Sequence, residues 1–372
     1  MKIAVFDPSG YHGHYAHTQG LVFRNHDISW FVHQNVCNRL TDLGIITRDS
    51  DVFVYTPGDS LLFYYIKALG RINRTNWDVV FFNTLEANWL PNFLFFLTIR
   101  SKVNLVLTIH NIHSFFKKAE TKGLRPFAKQ HAKSLALQKC RLNVYSEKLK
   151  ACLLQYKPDA NPFLLPYRVF DPQLSDLNPL QHNDFRIVIP GSVDIKRRDY
   201  FFVREIAERL KDLTHIRFVL LGKPYGDEAA ALVSKLEQLK DTVLCYREFI
   251  DESEFERQMQ QADIVWGPLT RYYAAHDAVE EYGVSKETGV SFAMIRYALP
   301  GLFPSDVSVM DEINSGTTFY SNADEFISII MDLSARKDGL LQLKKNAQAN
   351  ALQFHPDAVR SKFMSQLNVH SK

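Results

Sequence analysis

Apolar positions along the chain gather into short runs separated by amphipathic stretches, and the runs fall into two series. The first opens at Lys2–Phe6 and breaks into Asp7-Pro8-Ser9-Gly10-Tyr11-His12-Gly13-His14, a loop of small and polar residues. Strands are predicted next at Ile28–His33, Asp51–Tyr55, Val79–Phe82, Leu105–Ile109 and Leu142–Tyr145, with helical patterns between them, notably at Leu61–Ile72 and Pro126–Lys139. Strands alternating with helices imply a parallel sheet with crossover connections, and an apolar strand feeding a glycine-containing loop is how doubly wound folds begin.

The pattern changes between Lys157 and Asp184, where Pro158, Pro162, Pro166, Pro172 and Pro179 leave no long periodic segment. Such proline density predicts a connector. A second series then predicts strands at Phe185–Ile189, Ile216–Leu221, Val243–Tyr246, Ile264–Trp266 and Gly301–Phe303. Its helices are expected at Asp199–Asp212, Glu228–Leu239, Ser253–Gln261, Ser291–Tyr297, Asp324–Asp332 and Asp338–Gln353. Ser253 with Glu256 three residues on has the spacing of a capping box. The expected organisation is an α/β chain of two Rossmann-like domains facing across a cleft. The first spans 1–170, a proline-rich linker 171–184, and the second 185–350, with a C-terminal helix in 351–372 crossing back to the first domain.

Ligands of open α/β sheets bind beyond the carboxyl ends of the strands, so the residues just after each strand are the candidate site. In the first half these are Ser9–His14, Asn83–Glu86 and His110–His113. In the second they are Gly191–Arg198, Gly222–Tyr225, Arg247–Ile250, Pro268–Tyr273 and Tyr282–Gly289. Open backbone N–H groups, cations and carboxylates are what phosphates and sugar hydroxyls require. Lys196, Arg197 and Arg198 stand before a helix whose dipole prefers anions. Either they face a bound diphosphate or they are ordinary surface cations. Thr288 and Gly289 open the next helix with N–H groups to offer. Lys286 adds charge, and Glu287, Glu280 or Glu281 could accept from sugar hydroxyls; the alternative is a capped surface helix.

Composition narrows the classes. Hydrophobic residues make up 46% and aromatics 13%, which supports buried cores and argues against disorder. The net charge is only +3, but Arg100–Lys150 holds twelve Lys/Arg against Glu120 and Glu147, a local field that attracts anions or else a solvated face. Four cysteines without CxxC spacing point to neither zinc nor disulfides. His12, His14, His17, His110 and His113 raise a metal reading, but without an HExxH pattern the expectation is no metal, with one histidine on substrate and the others packing. GxxxxGK[ST], GxGxxG and GxSxG are missing, which disfavours P-loop, nicotinamide and serine-hydrolase chemistry. The first residues do not read as a signal peptide and Trp89–Ile99 is too short to span a bilayer, so a cytoplasmic protein is expected.

The second series resembles the GT-B glycosyltransferases, in particular the retaining family-4-like group. The matching pieces run in order: Val188–Arg198, Phe218–Lys223, Val243–Ile250, Gln261–Pro268 with its Ala262-Asp263 strand, and Glu287–Pro300 ending in Ala298-Leu299-Pro300. In the first series Thr108-Ile109-His110-Asn111, Leu142–Glu147 and Leu165-Pro166-Tyr167 match as well. The resemblance implies a nucleoside-diphosphate sugar as donor substrate and no permanently bound cofactor. It matches Arg197 to the diphosphate-binding lysine, assigns Tyr246, Phe249 and Ile250 to the nucleotide base, and brings His110 to the transferred sugar. Gly191, Ser192, Lys196, Gly222, Tyr282, Lys286, Glu287, Thr288 and Gly289 complete the expected donor site. The family's diphosphate-binding arginine falls on Ser192 and its paired glutamates fall on Ser285 and Ala293, so Lys196, Arg197 and Lys286 would supply the charge.

The implied reaction is sugar transfer to an acceptor hydroxyl, with cations and a helix N-terminus stabilising the leaving diphosphate. Retention needs no dedicated base; inversion would need one such as His14, Glu86 or His110. Phe115-Phe116-Lys117-Lys118 and the Lys129/Lys133 pair suit an anionic membrane or a lipid-linked acceptor, as in bacterial surface-polysaccharide or glycolipid assembly. A sugar-nucleotide epimerase of the same architecture is the alternative. Nucleic acid is not an expected partner.

Overall fold

The computed structural model describes residues 1–11, 13–85, 88–100, 104–118, 123–174, 184–274 and 278–368. Two compact units divide the chain. Met1–Tyr167 and Pro356–Lys372 make unit 1, and Arg168–Ala275 with Val279–His355 makes unit 2. The expected linker lies mostly outside the described residues, as do His12 and Glu86.

Unit 1 alternates β1 (Lys2–Asp7), α1 (Gly13–Val22), β2 (Asp27–His33), α2 (Gln34–Asp42), β3 (Asp51–Tyr55), α3 (Leu61–Arg74), β4 (Val79–Phe82) and α4 (Trp89–Thr98). It continues with β5 (Leu105–Thr108), α5 (Ile112–Phe116), α6 (Leu124–Lys139), β6 (Cys140–Val144), α7 (Glu147–Tyr156) and β7 (Phe163–Leu164). The seven strands pair in parallel in the order β3-β2-β1-β4-β5-β6-β7. β4 and β5 are buried along their whole length, as strands covered on both faces must be.

One helix layer of unit 1 packs α3 against α4 and α4 against α6, while α1 packs against α2. α4 forms despite Pro91 because that residue stands in the first turn, where no intrahelical partner awaits its missing N–H. Asn92 is buried there and accepts from the Tyr65 hydroxyl at 2.8 Å. The last helix of the chain, Pro356–Asn368, also belongs to unit 1. Phe363 packs on Phe23, Phe81 and Phe163 at 5.3, 5.5 and 4.5 Å between ring centres. Arg360 donates to the Val22 carbonyl at 3.3 Å.

Unit 2 runs β8 (Phe185–Pro190), α8 (Tyr200–Arg209), β9 (Ile216–Leu221), α9 (Asp227–Leu236), β10 (Val243–Cys245), α10 (Glu252–Gln260) and β11 (Ile264–Trp266). Then come β12 (Tyr272–Ala274), β13 (Val279–Glu281), α11 (Gly289–Tyr297), β14 (Gly301–Pro304), β15 (Thr317–Tyr320), α12 (Ala323–Ala335) and α13 (Lys337–Leu352). Six strands pair in parallel as β10-β9-β8-β11-β14-β15. Trp266 anchors the core, packed on Phe326 at 4.4 Å between ring centres and donating its indole N–H to Tyr320 at 3.0 Å.

Two local expectations fail. The α10 cap is Asp251, not Ser253: its carboxylate accepts from the Glu254 N–H at 2.8 Å and from the Ser253 hydroxyl at 2.7 Å. An ionised cap gains more from the helix dipole than a hydroxyl. The stretch between β11 and α11, where no strand is predicted, carries the antiparallel ribbon β12–β13.

Candidate active site

The strand order of unit 2 reverses between β8 and β11, so the loops following these two strands frame its switch-point crevice. They are the 191–198 loop and the 267–271 stretch leading into β12. The first is held by backbone geometry. Gly191 has φ +96°, a left-handed conformation that glycine adopts without strain. Gly222 lies so close that a Cβ there would stand 2.5 Å from the Gly191 carbonyl. Val193 and Tyr225 extend the contact, with Val193 N–H on the Lys223 carbonyl at 3.0 Å and Tyr225 N–H on the Val193 carbonyl at 2.9 Å.

The three consecutive cations of this loop part company. Arg198 is buried and turns inward, donating to the Tyr200 hydroxyl at 3.1 Å and the Gly191 carbonyl at 3.4 Å. It is part of the loop's frame. Lys196 and Ser192 are exposed. Arg197 is half-exposed, paired with Asp194 at 3.1 Å, and donates to the Tyr273 hydroxyl at 3.1 Å. Its guanidinium lies 4.7 Å from the centre of the Tyr273 ring. The Lys286 ammonium is 5.8 Å from the same ring centre. Two of the expected phosphate-binding cations, 89 positions apart in sequence, therefore converge on one tyrosine.

Tyr282 backs this arrangement. Its buried ring stacks on Tyr273 at 6.3 Å, and its backbone pairs with Lys286 in an isolated bridge. Burial raises the Tyr282 phenol above its ordinary value, while Arg197 and Arg198 pull it down. Burial would lower the Arg197 guanidinium, but Tyr273, Tyr282 and Asp194 more than offset it, and it stands raised. The cation is permanent at any working pH.

The turn from Lys286 leads into α11. Thr288 caps the helix, its hydroxyl accepting from the Val290 N–H at 3.3 Å. Gly289 is exposed with open space where a Cβ would stand, so the first turn presents backbone N–H. Every residue from Val290 to Tyr297 is buried, so α11 is a core helix with one open end. Glu287 and Glu280 are buried, and Glu281 pairs with Arg271 at 2.8 Å. Ser285 and Ala293, which stand where the resembled family has glutamates, are buried; the Ser285 hydroxyl accepts from the Glu281 N–H at 2.9 Å.

The residues expected at the base lie elsewhere on the sheet, after the edge strand β10. The Tyr246 hydroxyl donates to Glu254 and accepts from Gln258 at 3.1 Å. Burial and the Glu254 carboxylate push it up to about 12. Phe249 is 80% exposed, an apolar ring with room for a stacking partner, and Ile250 is half-buried.

In unit 1 the order reverses between β1 and β4. Asp7 at the end of β1 is fully buried and accepts from the Ser9 N–H and hydroxyl at 3.1 and 2.8 Å, fixing the turn that follows. Of the candidate histidines, the four described, His14, His17, His110 and His113, do not form one group. His17 is buried within α1, and His113 lies against the Cys152 thiol at 3.7 Å. His14 and His110 do share surroundings. His14 meets the Tyr167 ring at 6.3 Å, His110 stacks on Tyr145 at 6.2 Å, and the two tyrosines are 5.5 Å apart. Tyr15 completes the cluster at 5.4 Å from Tyr145, its hydroxyl held by Thr108 at 3.0 Å and by Asn143 at 2.9 Å. Among the described residues no group of three or more His, Cys, Asp or Glu is placed to hold a metal ion.

Sequence reasoning placed Tyr273 and Asp194 within candidate segments, and Tyr145 and Tyr167 within the matching pieces, but gave none of the four a role. Arg271-Tyr272-Tyr273 offered a weak signal, two aromatics after a cation directly beyond a strand.

No family model and no curated protein matches the sequence. Solved structures do. HepE (Alr3699) of Anabaena, in complex with UDP, is 15% identical with a TM-score of 0.66, over 99% of this chain and 100% of that one. A glycosyltransferase from Rickettsia africae is 12% identical at 0.66, over 100% and 98%. TarM of S. aureus, as a mutant in complex with fondaparinux, alpha-GlcNAc-glycerol and UDP, is 11% identical at 0.64, over 99% and 100%. At such identities the likeness establishes the architecture: this chain has the fold of these proteins, two Rossmann-like units of the GT-B type.

Proposed function

We propose that this protein is a glycosyltransferase that moves a sugar from a nucleoside-diphosphate donor to an acceptor hydroxyl. The observation that carries the reading is the convergence of Arg197 and Lys286 on Tyr273, at the switch point of unit 2 and directly before the open N-terminus of α11. Cations and oriented N–H groups fixed beforehand stabilise charge that develops on a leaving diphosphate, at no reorganisation cost. HepE and TarM were both solved with UDP, which makes UDP the first nucleotide to test. Gly191, Ser192 and Gly222 would admit the phosphates to the backbone, and Lys196 would add charge. Phe249 and Ile250, with Tyr246 behind them, would receive the base. Glu287 and Thr288 would line the sugar end.

His110 and His14 stand on the tyrosine cluster of unit 1 and are the groups for the acceptor side. An inverting reaction would use one of them as base; a retaining one would use them to position the acceptor. We place the acceptor among saccharides or lipid-linked saccharides, in bacterial surface-polysaccharide or glycolipid assembly on the inner face of the cell membrane.

Thermal unfolding with a panel of nucleoside diphosphates tests the donor site. A ligand at a hundredfold excess over Kd should add about 2.7 kcal/mol of apparent stability, and Arg197→Ala should abolish the gain for UDP. An unaltered gain in R197A would mean that the phosphates bind elsewhere. A second reading, sugar-nucleotide epimerisation, is favoured by one structural neighbour, described as a UDP-N-acetylglucosamine 2-epimerase from Listeria monocytogenes, 12% identical at a TM-score of 0.55. Conversion of UDP-GlcNAc to its epimer without acceptor would decide for it.

A further inference from the structure

We propose that the helix layer formed by α3, α4 and α6 of unit 1 is a docking surface for an anionic lipid bilayer. The claim deepens the membrane part of the preceding reading and does not depend on its chemistry. Of the residues that first suggested a membrane contact, Phe115, Phe116 and Lys133 do not form this surface. Phe115 is buried, Phe116 stacks on Tyr156 at 4.8 Å, and Lys133 is buried with its ammonium on the Ser114 carbonyl at 3.0 Å.

The three helices expose apolar side chains instead. On α3 these are Leu62, Phe63 and Ile66; on α4, Leu90 and Leu97; on α6, Leu124 and Phe127, which are 83% and 54% exposed. The other helix layer of the same unit, α1, α2 and the helix Pro356–Asn368, exposes no large apolar side chain among the described residues. The concentration is therefore a property of one layer and not of the unit's composition. Leu90 and Leu97 are seven positions apart and share a face of α4, a helix without a single charged residue. Phe93 of α4 meets His131 of α6 at 6.4 Å, and His131 lies on Phe127 at 3.8 Å, so the apolar groups of the two helices are continuous.

Charge identifies the occupant. α3, α4 and α6 contain no aspartate or glutamate. Lys67, Arg74 and Arg125 are exposed on them, and Lys139 caps the end of α4 through the Leu97 and Ile99 carbonyls at 3.4 and 3.3 Å. Apolar side chains set among cations, with no acid between them, match a surface of anionic headgroups over hydrocarbon. A water-soluble anionic partner would not reward the exposed leucines and phenylalanines. Among the described residues no helix is long and apolar enough to cross a membrane, so the contact would be peripheral.

Sedimentation of the full-length protein with phosphatidylcholine vesicles, with and without phosphatidylglycerol, tests the proposal. The protein should sediment only with the phosphatidylglycerol vesicles and be released as salt rises. The double variant Leu124→Ser/Phe127→Ser should bind about tenfold or more weakly. Lys67→Glu/Arg125→Glu should do the same, and both should keep the wild-type melting temperature. Leu341→Ser, at an exposed leucine of unit 2, should bind as wild type. Absent sedimentation, equal binding to neutral vesicles, or wild-type binding by L124S/F127S would overturn the proposal. So would a dimer in light scattering that L124S/F127S turns into a monomer, because a second copy would then cover the face. UDP-dependent stabilisation, read in the same variants, separates failure of this surface from failure of the donor site.

Discussion

The strand ends of the two units carry different chemistry on similar scaffolds. Unit 2 holds the Arg197 guanidinium, charged at any working pH, and the Lys286 ammonium on the Tyr273 ring. Unit 1 holds His14 and His110 on Tyr167 and Tyr145, and imidazole is the side chain that can be neutral or charged according to pH. In both cases tyrosine rings stand beside the candidate side chains, and it is the type of side chain that differs. A permanent cation suits a permanent anion such as a diphosphate; an imidazole suits a hydroxyl whose proton must be held or moved. The difference is in keeping with the proposal that unit 2 binds the donor and unit 1 handles the acceptor.

Substitution of His110 is the strongest way to break that division. His110→Ala should lower turnover by about a hundredfold or more, the usual worth of a positioned acid–base group. UDP should stabilise the variant as it does the wild type. The measurement is UDP release from the donor sugar, beside thermal shift with UDP. Loss of UDP stabilisation in H110A would show that the histidine serves the donor after all, and the two units would not divide the work.

Tyr273 sharpens the same comparison at smaller amplitude. Tyr273→Ala removes the ring under both cations and the oxygen that receives the Arg197 N–H. A cation–π contact of about 1 kcal/mol and a hydrogen bond of similar worth should together weaken UDP about tenfold or somewhat more. Tyr273→Phe keeps the ring and should lose about half of that free energy. Isothermal titration reads both; an affinity in Y273A equal to wild type would make the tyrosine a bystander.

How much of this the sequence announced depends on whether the cause was local. β4, β5, β8 and β9 are buried apolar runs, and their positions follow from the runs themselves. The 191–198 loop was legible for the same reason, as a glycine and cations directly after a strand. β12–β13 was not: Tyr272 and Val279 are exposed and the strands are three residues each, so no apolar period marks them. Tyr273 matters only because Arg197, 76 positions earlier, lies over it. The cation run before α8 read as three equivalent charges, and only the fold separates the inward Arg198 from the outward Lys196. Contacts made at a distance along the chain leave no local pattern to read.

His33 offers the smallest test, and it probes whether pH acts on unit 1 alone. Its Nδ1 accepts the Asn35 N–H at 3.0 Å and so caps α2. The ring also lies beside the Ser9–Gly10 turn, 3.4 Å from where a Gly10 Cβ would stand. The cap requires the neutral ring, because protonation removes the acceptor and sets a cation at the positive end of a helix dipole. Burial lowers the His33 value, with Asp7 acting weakly against it. The unfolded chain therefore takes up the proton first as pH falls below about 6.5, the ordinary value. Stability is full above that pH and is lost between it and the lower folded value. The loss should be about 1 kcal/mol at most, the worth of a cap. His26, lowered by burial and by the N-terminal charge, contributes in the same window, so the variant must isolate His33. His33→Asn keeps a capping oxygen without a titrating ring and should flatten that part of the profile. Unfolding free energies measured from about pH 7.5 down to about 5, with identical slopes in H33N and wild type, would show that the cap does not titrate, and pH dependence in unit 1 would then have to come from its other histidines.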